Sequence, residues 1–408
     1  MEVVVEVGAG LDVHKKRIVA CCLDGRSNPP KAIRCTFGTF RDELERLRDW
    51  LVKHGCTHVA MESTGVYWMP VYRVLEGSLQ IILGNARHMA NVPGRKTDKL
   101  DAEWIAKLLR HGLIRPNFVP PRVIRDLRMA TRYRRKLLQM RSASQLRVEK
   151  LLQSTNIKLS SVASDVFGKS GRLMLTALAE GITNPGTLAE MAKGTLRNKR
   201  VDLVRAMRGS FDEQDARLLK VELAVVEDID TRLEELKKLI DQKIVPFENT
   251  INLLDTIPGI DRILAIDLLA EIGTDMTAWP SARHFAAWSG TCPGNRESAG
   301  VRRRARSREG NPYVKTVLVQ AAVSASHTVT SDLAIRYRRL TSRRGPKRAA
   351  VAVARIIAVA VHYMLSKNEP YTSPKSADPE LIRNQRRNHL LRQLNKLGFE
   401  VVCEPMNR

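Results

Sequence analysis

Hydrophobic positions along the first 115 residues switch between two periods. Val3–Val13, Arg17–Asp24 and Lys31–Phe37 are short runs rich in β-branched residues, separated by turn-sized gaps. That spacing predicts three antiparallel strands. Apolar residues then recur at three- and four-residue steps over Arg41–His54, after which the chain alternates: strand Thr57–Met61, helix Val66–Glu76, strand Leu79–Leu83, helix Thr97–His111. Three hairpin-linked strands followed by β-α units predict an α/β domain on one mixed sheet, with the first and fourth strands as neighbours.

From Pro120 the pattern becomes helical. Residues 122–147 read as one long helix with nine Arg and Lys and a single acid, Asp126. A second long helix, about 211–245, sets Leu219, Leu223, Val226, Ile229, Leu233, Leu236 and Ile240 at three- and four-residue steps. This is either a coiled-coil seam of ~3 heptads or the apolar stripe of an ordinary bundle helix. With ten acids and six bases, that helix is expected to face protein, and the pair is a natural dimerisation element. A third region opens near Ile251, where Ile257-Pro258-Gly259-Ile260 before an apolar helix ending at Gly273 has the form of a helix-hairpin-helix, a turn that can offer backbone N–H groups to a phosphate. A loop-rich stretch, Trp288–Pro312, contains the run Arg302 to Arg308, and helices are expected at Tyr313–His327 and 349–365. The tail after Glu369 is rich in Pro and Ser and ends in a basic helix, Glu380–Leu397.

Charge changes the picture most. The 408 residues carry 68 Lys and Arg against 43 Asp and Glu, a formal net charge of +25. An excess of that size points to a polyanionic partner, nucleic acid before a membrane surface. The longest apolar stretch, Ala349–Leu365, is interrupted by Arg355 and falls short of the ~20 residues a span needs. No membrane partner is therefore expected, and the N-terminus lacks the basic start of a signal peptide. Cysteines 21, 22, 35, 56, 292 and 403 show neither CxxC nor metal-ligand spacing, which fits reduced thiols and a cytoplasmic protein. His54 and His58 flank a helix-to-strand turn and are read as structural, so no zinc site is expected.

Four carboxylates carry the candidate chemistry. Asp12 lies late in the first strand, Glu62 ends the fourth, and Asp98 and Asp101 stand three apart on one helical face. Singly, each is an ordinary surface acid. Brought together they repel, and divalent cations relieve the repulsion. Two Mg2+ ions ~3.5–4 Å apart clamp the attacking and leaving oxygens of a phosphodiester.

The motifs "LDVHK" (Leu11–Lys15), "ESTG" (Glu62–Gly65), "DKLDA" (Asp98–Ala102), "IPGI" (Ile257–Ile260), "ARHFAAWSGTCPGNRESAG" and "REGNPYVK" together resemble the insertion sequence 110 family of transposases over nearly all of 1–370. The strand and helix order is that of ribonuclease-H-like folds. The resemblance implies a ribonuclease-H-like (RuvC-like) α/β domain over 1–118, a helical coiled-coil insert over 119–250, an α-rich C-terminal transposase domain over 251–370, and a basic tail over 371–408. It places the family's acidic quartet on Asp12, Glu62, Asp98 and Asp101 as Mg2+ ligands, and a serine nucleophile on Ser298. Family members commonly have Gly where this chain has Ala299, and Ser289 and Ser307 are nearby rivals. It also implies donor and target DNA, a structured bridge RNA as guide, and a homo-oligomer: a dimer, and a tetramer in the active complex. Arg128, Arg132 and Arg135 on the basic helix and Arg302, Arg303, Arg304, Arg306 and Arg308 near the serine are the expected contacts to nucleic-acid backbones. Two other readings remain open: a RuvC-like junction nuclease using metal-activated water, and a non-catalytic nucleic-acid-binding protein whose acids cap helices.

Overall fold

The structure, a computed structural model, describes residues 2–63, 65–85, 89, 101–294, 297–298, 301–302, 307–328, 331–373, 387 and 391. Asp98, Arg303, Arg304 and Arg306, and nearly all of the tail, lie outside the described residues. The chain divides into two units, Met1–Val119 and Pro120–Arg408.

The first unit runs β1 (Val7–Val13), β2 (Ile18–Asp24), β3 (Lys31–Phe37), α1 (Arg41–Lys53), β4 (His58–Glu62), α2 (Trp68–Leu75), β5 (Gln80–Gly84) and α3 (Asp101–Arg110). Its sheet has the order β3-β2-β1-β4-β5. β2 is antiparallel to β1 and β3, whereas β4 is parallel to β1 and β5. The mixed sheet and the β1–β4 neighbourhood match the expectation from the sequence.

Alternation along β1 explains the layers. Ala9 and Leu11 point to one face, where they join Leu44, Leu47 and Leu51 of α1 and Val71 and Leu75 of α2 in a buried core. Gly8 and Gly10 point to the other, which α3 covers with Ala102, Ile105, Ala106 and Leu109. Gly10 sets the approach of that helix: a Cβ there would stand 2.1 Å from the Ala102 carbonyl oxygen and 2.4 Å from the Ala106 nitrogen. Cys21, Cys22 and Cys56 are free thiols buried in this unit.

The second unit is helical. α4 (Arg122–Ser154) and α8 (Glu213–Ile244) are its two long helices. They run antiparallel, as the ion pairs Arg147–Glu222 and Arg141–Asp230 show by their opposed numbering. The Asp212–Asp215 capping box starts α8. Between them α5 (Lys169–Ala179), α6 (Pro185–Glu190) and α7 (Arg200–Ala206) close over Val148, Leu152 and Leu219 as a core of their own. These short helices were not expected from the sequence, because runs of 6 to 11 residues hold too few turns to display a period.

The rest of the unit comprises α9 (Glu248–Asp255), α10 (Arg262–Ile272), α11 (Ala282–Trp288), the strand pair β6 (Glu297–Ser298) and β7 (Val301–Arg302), α12 (Pro312–Ser326), α13 (Asp332–Arg344) and α14 (Pro346–Lys367). α10 is apolar nearly all round and buried, as the central helix of a bundle should be. α13 was not expected from the sequence. α14 is longer than the 349–365 expected: at 22 residues it is long and apolar enough to cross a membrane. Here its Ala349, Val353, Ile357 and Val361 are buried within the unit.

Gly10→Val should lower the stability of the chain by about 3 kcal/mol, the upper end for overpacking, since the atoms it meets are backbone and cannot step aside. Urea unfolding checks this; a change under about 0.5 kcal/mol would show that α3 is not seated on β1 as described.

Candidate active sites

In the first unit the sheet register assembles the acids. β1 and β4 pair in parallel with Leu11 opposite Met61, so the next residues, Asp12 and Glu62, stand side by side. Both occupy the strand face that α3 covers, two residues beyond Gly10 and Ala60 respectively. Gly8 lies against Leu109 and Gly10 against Ala102 and Ala106, so α3 runs with its first residue, Asp101, toward the end of β1 that carries Asp12. Three sequence-predicted acids thus share the C-terminal edge of the parallel strands, the edge at which open α/β sheets place ligands.

Neighbours hold this edge in shape. The Asp12 carboxylate pairs with His14 Nε2 at 2.9 Å. Asn117 Nδ2 donates to Ser63 Oγ at 2.8 Å, and Ser63 N donates to the Gly84 carbonyl, so the chain leaving Glu62 is tied to β5 and beyond. Glu103, a carboxylate close by in sequence, does not join the group. It pairs with Lys107 and Arg34, and these cations hold its carboxyl below the usual range. Among the described residues no three His, Cys, Asp or Glu stand close enough to hold a metal ion. Asp98, the fourth member of the expected quartet, lies outside them. The donor set itself, carboxylate oxygens from two strands and a helix, suits a hard cation such as Mg2+ rather than zinc.

In the second unit Ser298 sits at the end of a β-hairpin. Its base is the Pro293–Ser307 bridge, with Arg308 N donating to the Cys292 carbonyl at 3.0 Å. Farther out Ser298 pairs with Val301. The base is firmly anchored. A Cβ on Gly310 would lie 2.3 Å from Gly290 N and 2.4 Å from the Trp288 carbonyl, so the two arms meet through bare backbone. The rival serines are otherwise engaged. Ser289 is fully buried and bonded to the Ala286 carbonyl and Thr291 Oγ1. Ser307 accepts from Lys315 Nζ at 2.6 Å.

The expected basic and turn residues have partners within the unit. The guanidinium groups of Arg128 and Arg132 bond to a neighbouring helix. Arg132 makes two hydrogen bonds, 2.6 and 2.8 Å, to the Glu271 carboxylate, and Arg128 donates to the Ala270 and Glu271 carbonyls. Burial lowers the Arg128 pKa to about 10. Arg134, Arg141 and Arg147 of the same helix are also ion-paired within the unit. Arg135 is less committed: it bonds Thr316 Oγ1, lies 5.2 Å from the Tyr313 ring, and borders a cleft of about 240 Å3 with Lys136 and Gln139. The Ile257–Ile260 turn likewise faces inward. Gly259 packs against the Ala321 carbonyl, and Asp261 caps α10 itself by accepting from Leu264 N.

The residue that sequence reasoning missed is Glu271, with its side chain 3% exposed. Besides the arginines, its Oε2 accepts from Asn311 Nδ2 at 2.8 Å. Asn311 caps α12 through its Oδ1 and donates its own N–H to the Trp288 carbonyl, so Glu271 reaches the exit of the hairpin. The signal was present: Asp267 and Glu271 are acids four apart inside the otherwise apolar run Ile263–Ile272.

A family model described as a transposase of the DEDD type matches residues 9–157, and one described as the transposase IS116/IS110/IS902 family matches 251–338. The chain is also similar to the transposase for insertion sequence element IS1111A of Coxiella burnetii (strain RSA 493 / Nine Mile phase I), 25% identical over 334 residues, covering 78% of this chain and 80% of that protein. A DEDD transposase domain and the observed sheet both correspond to a RuvC-like fold for the first unit.

Glu271→Ala leaves two partly buried arginines and Asn311 without their shared acceptor, and should cost about 3–5 kcal/mol of stability. Chemical denaturation measures it, and a loss below about 1 kcal/mol would mean that the network does not anchor the hairpin.

Proposed function

We propose how this chain, which belongs to the IS110 family of transposases, cuts and rejoins DNA. Asp12, Glu62, Asp98 and Asp101 hold Mg2+, and Ser298 attacks the scissile phosphate. What supports the reading is the parallel register that sets Asp12 beside Glu62, with Asp101 at the same sheet edge. When bound, the metal supplies positive charge to the phosphate oxygens and lowers the cost of ionising an attacking or leaving hydroxyl.

The chain's own residues do the rest. As the Ser298 Oγ–phosphorus bond forms, the phosphorus–oxygen bond to the sugar breaks; the serine gives up a proton and the sugar oxygen takes one up. The ester so formed keeps the energy of the broken bond. Attack by the hydroxyl of a second strand reverses the step, restores Ser298 and joins the strands without an external energy source. His14 orients the Asp12 carboxylate. Arg302, Arg303, Arg304, Arg306 and Arg308 offset the phosphate charge near the hairpin, with Arg135 as a further contact. The net charge of +25 supports a structured bridge RNA beside donor and target DNA, with base pairing to the guide choosing the sequences. Subunits associate through the long helical pair as a coiled coil, forming dimers and, on DNA, a tetramer. The free thiols suit a cytoplasmic setting.

A junction nuclease would use the same carboxylates with water and would not need the serine. Asp12→Asn and Asp101→Asn should each reduce DNA cleavage at least ~100-fold while leaving nucleic-acid affinity within a few-fold, since metal ligation and not duplex contact is removed. Ser298→Ala should bind DNA but give neither cut nor joined product, whereas Ser307→Ala should still give both products. Normal recombination by Asp12→Asn in Mg2+ would remove the metal assignment. Normal cleavage by Ser298→Ala would favour the nuclease.

A further inference from the structure

A cavity of about 1100 Å3 opens in the second unit beside the base of the serine hairpin. One wall is the hairpin base itself, Pro293 and Ser307. The opposite wall is formed by the end of α13 and one face of α14, where Gly345, at φ +79°, turns the chain between the two helices. Among the described residues Arg344, Lys347, Arg348 and Arg355 all line it, no acid does, and none of the four is ion-paired. Between them Val351, Ala352, Ile356 and Val359 supply an apolar floor, because the steps 348, 351, 352, 355, 356 and 359 follow one face of a helix. The Ser307 hydroxyl, which lines the cavity, accepts from Lys315 Nζ.

This combination fits a particular form of polyanion. A duplex keeps its base faces stacked and would need only the cations, and an apolar helix from a partner would be opposed by four unpaired positive charges. A single strand presents both phosphates for guanidinium groups and exposed base faces for an apolar floor. From Pro293 to Ser298 is five residues, at most about 18 Å of extended chain, so a strand seated here lies within reach of the hairpin tip. We propose that the cavity holds one or two unpaired nucleotides of the DNA strand being cut, with phosphates on Arg344, Arg348 and Arg355 and bases against the Val351–Val359 face. The choice of the cut strand rests on the reading of Ser298 as nucleophile; the binding site itself does not.

The test uses the full chain and a short single-stranded DNA oligonucleotide containing 2-aminopurine, whose fluorescence rises when the base leaves the stack. Wild type should bind with a rise in fluorescence. The double variant Arg344→Ala/Arg348→Ala should bind more weakly and flatten the log–log salt dependence by about 1.4, two contacts at ~0.7 each for single strands. The corresponding Lys pair should retain the slope, and Ala352→Leu, which fills the floor, should suppress the rise. Thermal unfolding confirms that each variant is folded. Unchanged affinity and slope in the Ala pair would overturn the proposal. So would a rise with the RNA oligonucleotide of the same sequence but none with DNA, or a change in sedimentation of the variants with DNA binding intact, which would assign the groove to a second copy. Because the readout is binding, failure of the serine assignment leaves the rise in place, and the two readings fail separately.

Discussion

Burying the Glu271 carboxylate alone would cost several kcal/mol, and the C-terminal unit is arranged so that it is never alone. Arg132 meets both its oxygens, Arg128 lies 3.6 Å away, and Asn311 donates to Oε2. The partners come from two parts of the unit: the arginines from the long basic helix, and Asn311 from the segment where the hairpin returns to α12. The same carboxylate therefore fixes the helix that begins the unit and the exit of the loop that carries Ser298. The Arg132 guanidinium also lies 4.0 Å from the Tyr313 ring, which extends the tie one residue into α12. A hairpin tip that is to meet a phosphate gains from a base that cannot shift, and Gly290 and Gly310 remove the side chains that would hold the two arms apart.

Much of the first unit was legible in the chain. Period-two runs identified the strands, and placing Asp12 and Glu62 at the ends of neighbouring strands needed only the strand order. What periodicity does not carry is contact distance. Gly10 reads as an ordinary small residue until a helix is seen against its backbone, and that contact is what brings Asp101 toward Asp12. In the second unit the long helices were visible, but charge was read as though every arginine faced solvent. Arg128 and Arg132 show why this fails: an acid 139 residues from Arg132 is invisible to local pattern yet decides where the guanidinium points. At the "IPGI" turn the pattern is likewise silent, since a glycine required for close packing on α12 and one required for a phosphate look the same in sequence.

The corrected arrangement separates two kinds of basic residue. Arginines on the N-terminal half of α4 hold the C-terminal unit together, whereas those at the end of α13 and along α14 border a cavity and lack acidic partners among the described residues. Net charge alone does not distinguish them. The serine hairpin stands next to the second kind, which is where a nucleic-acid strand under attack would be neutralised.

On the proposed function, strand cleavage leaves the DNA joined to Ser298. DNA carrying the ends of the element, together with the bridge RNA, is incubated with the protein in Mg2+, the reaction is stopped in denaturant, and the covalent fraction is digested with trypsin. Cleavage after Arg296 and Arg302 releases Glu297–Arg302 as a single peptide with one serine, so mass spectrometry identifies the attachment without ambiguity. A nucleotide-bearing Glu297–Arg302 peptide is the expected result. Free cut ends with no protein attached, or an adduct on the peptide that contains Ser307, would contradict it.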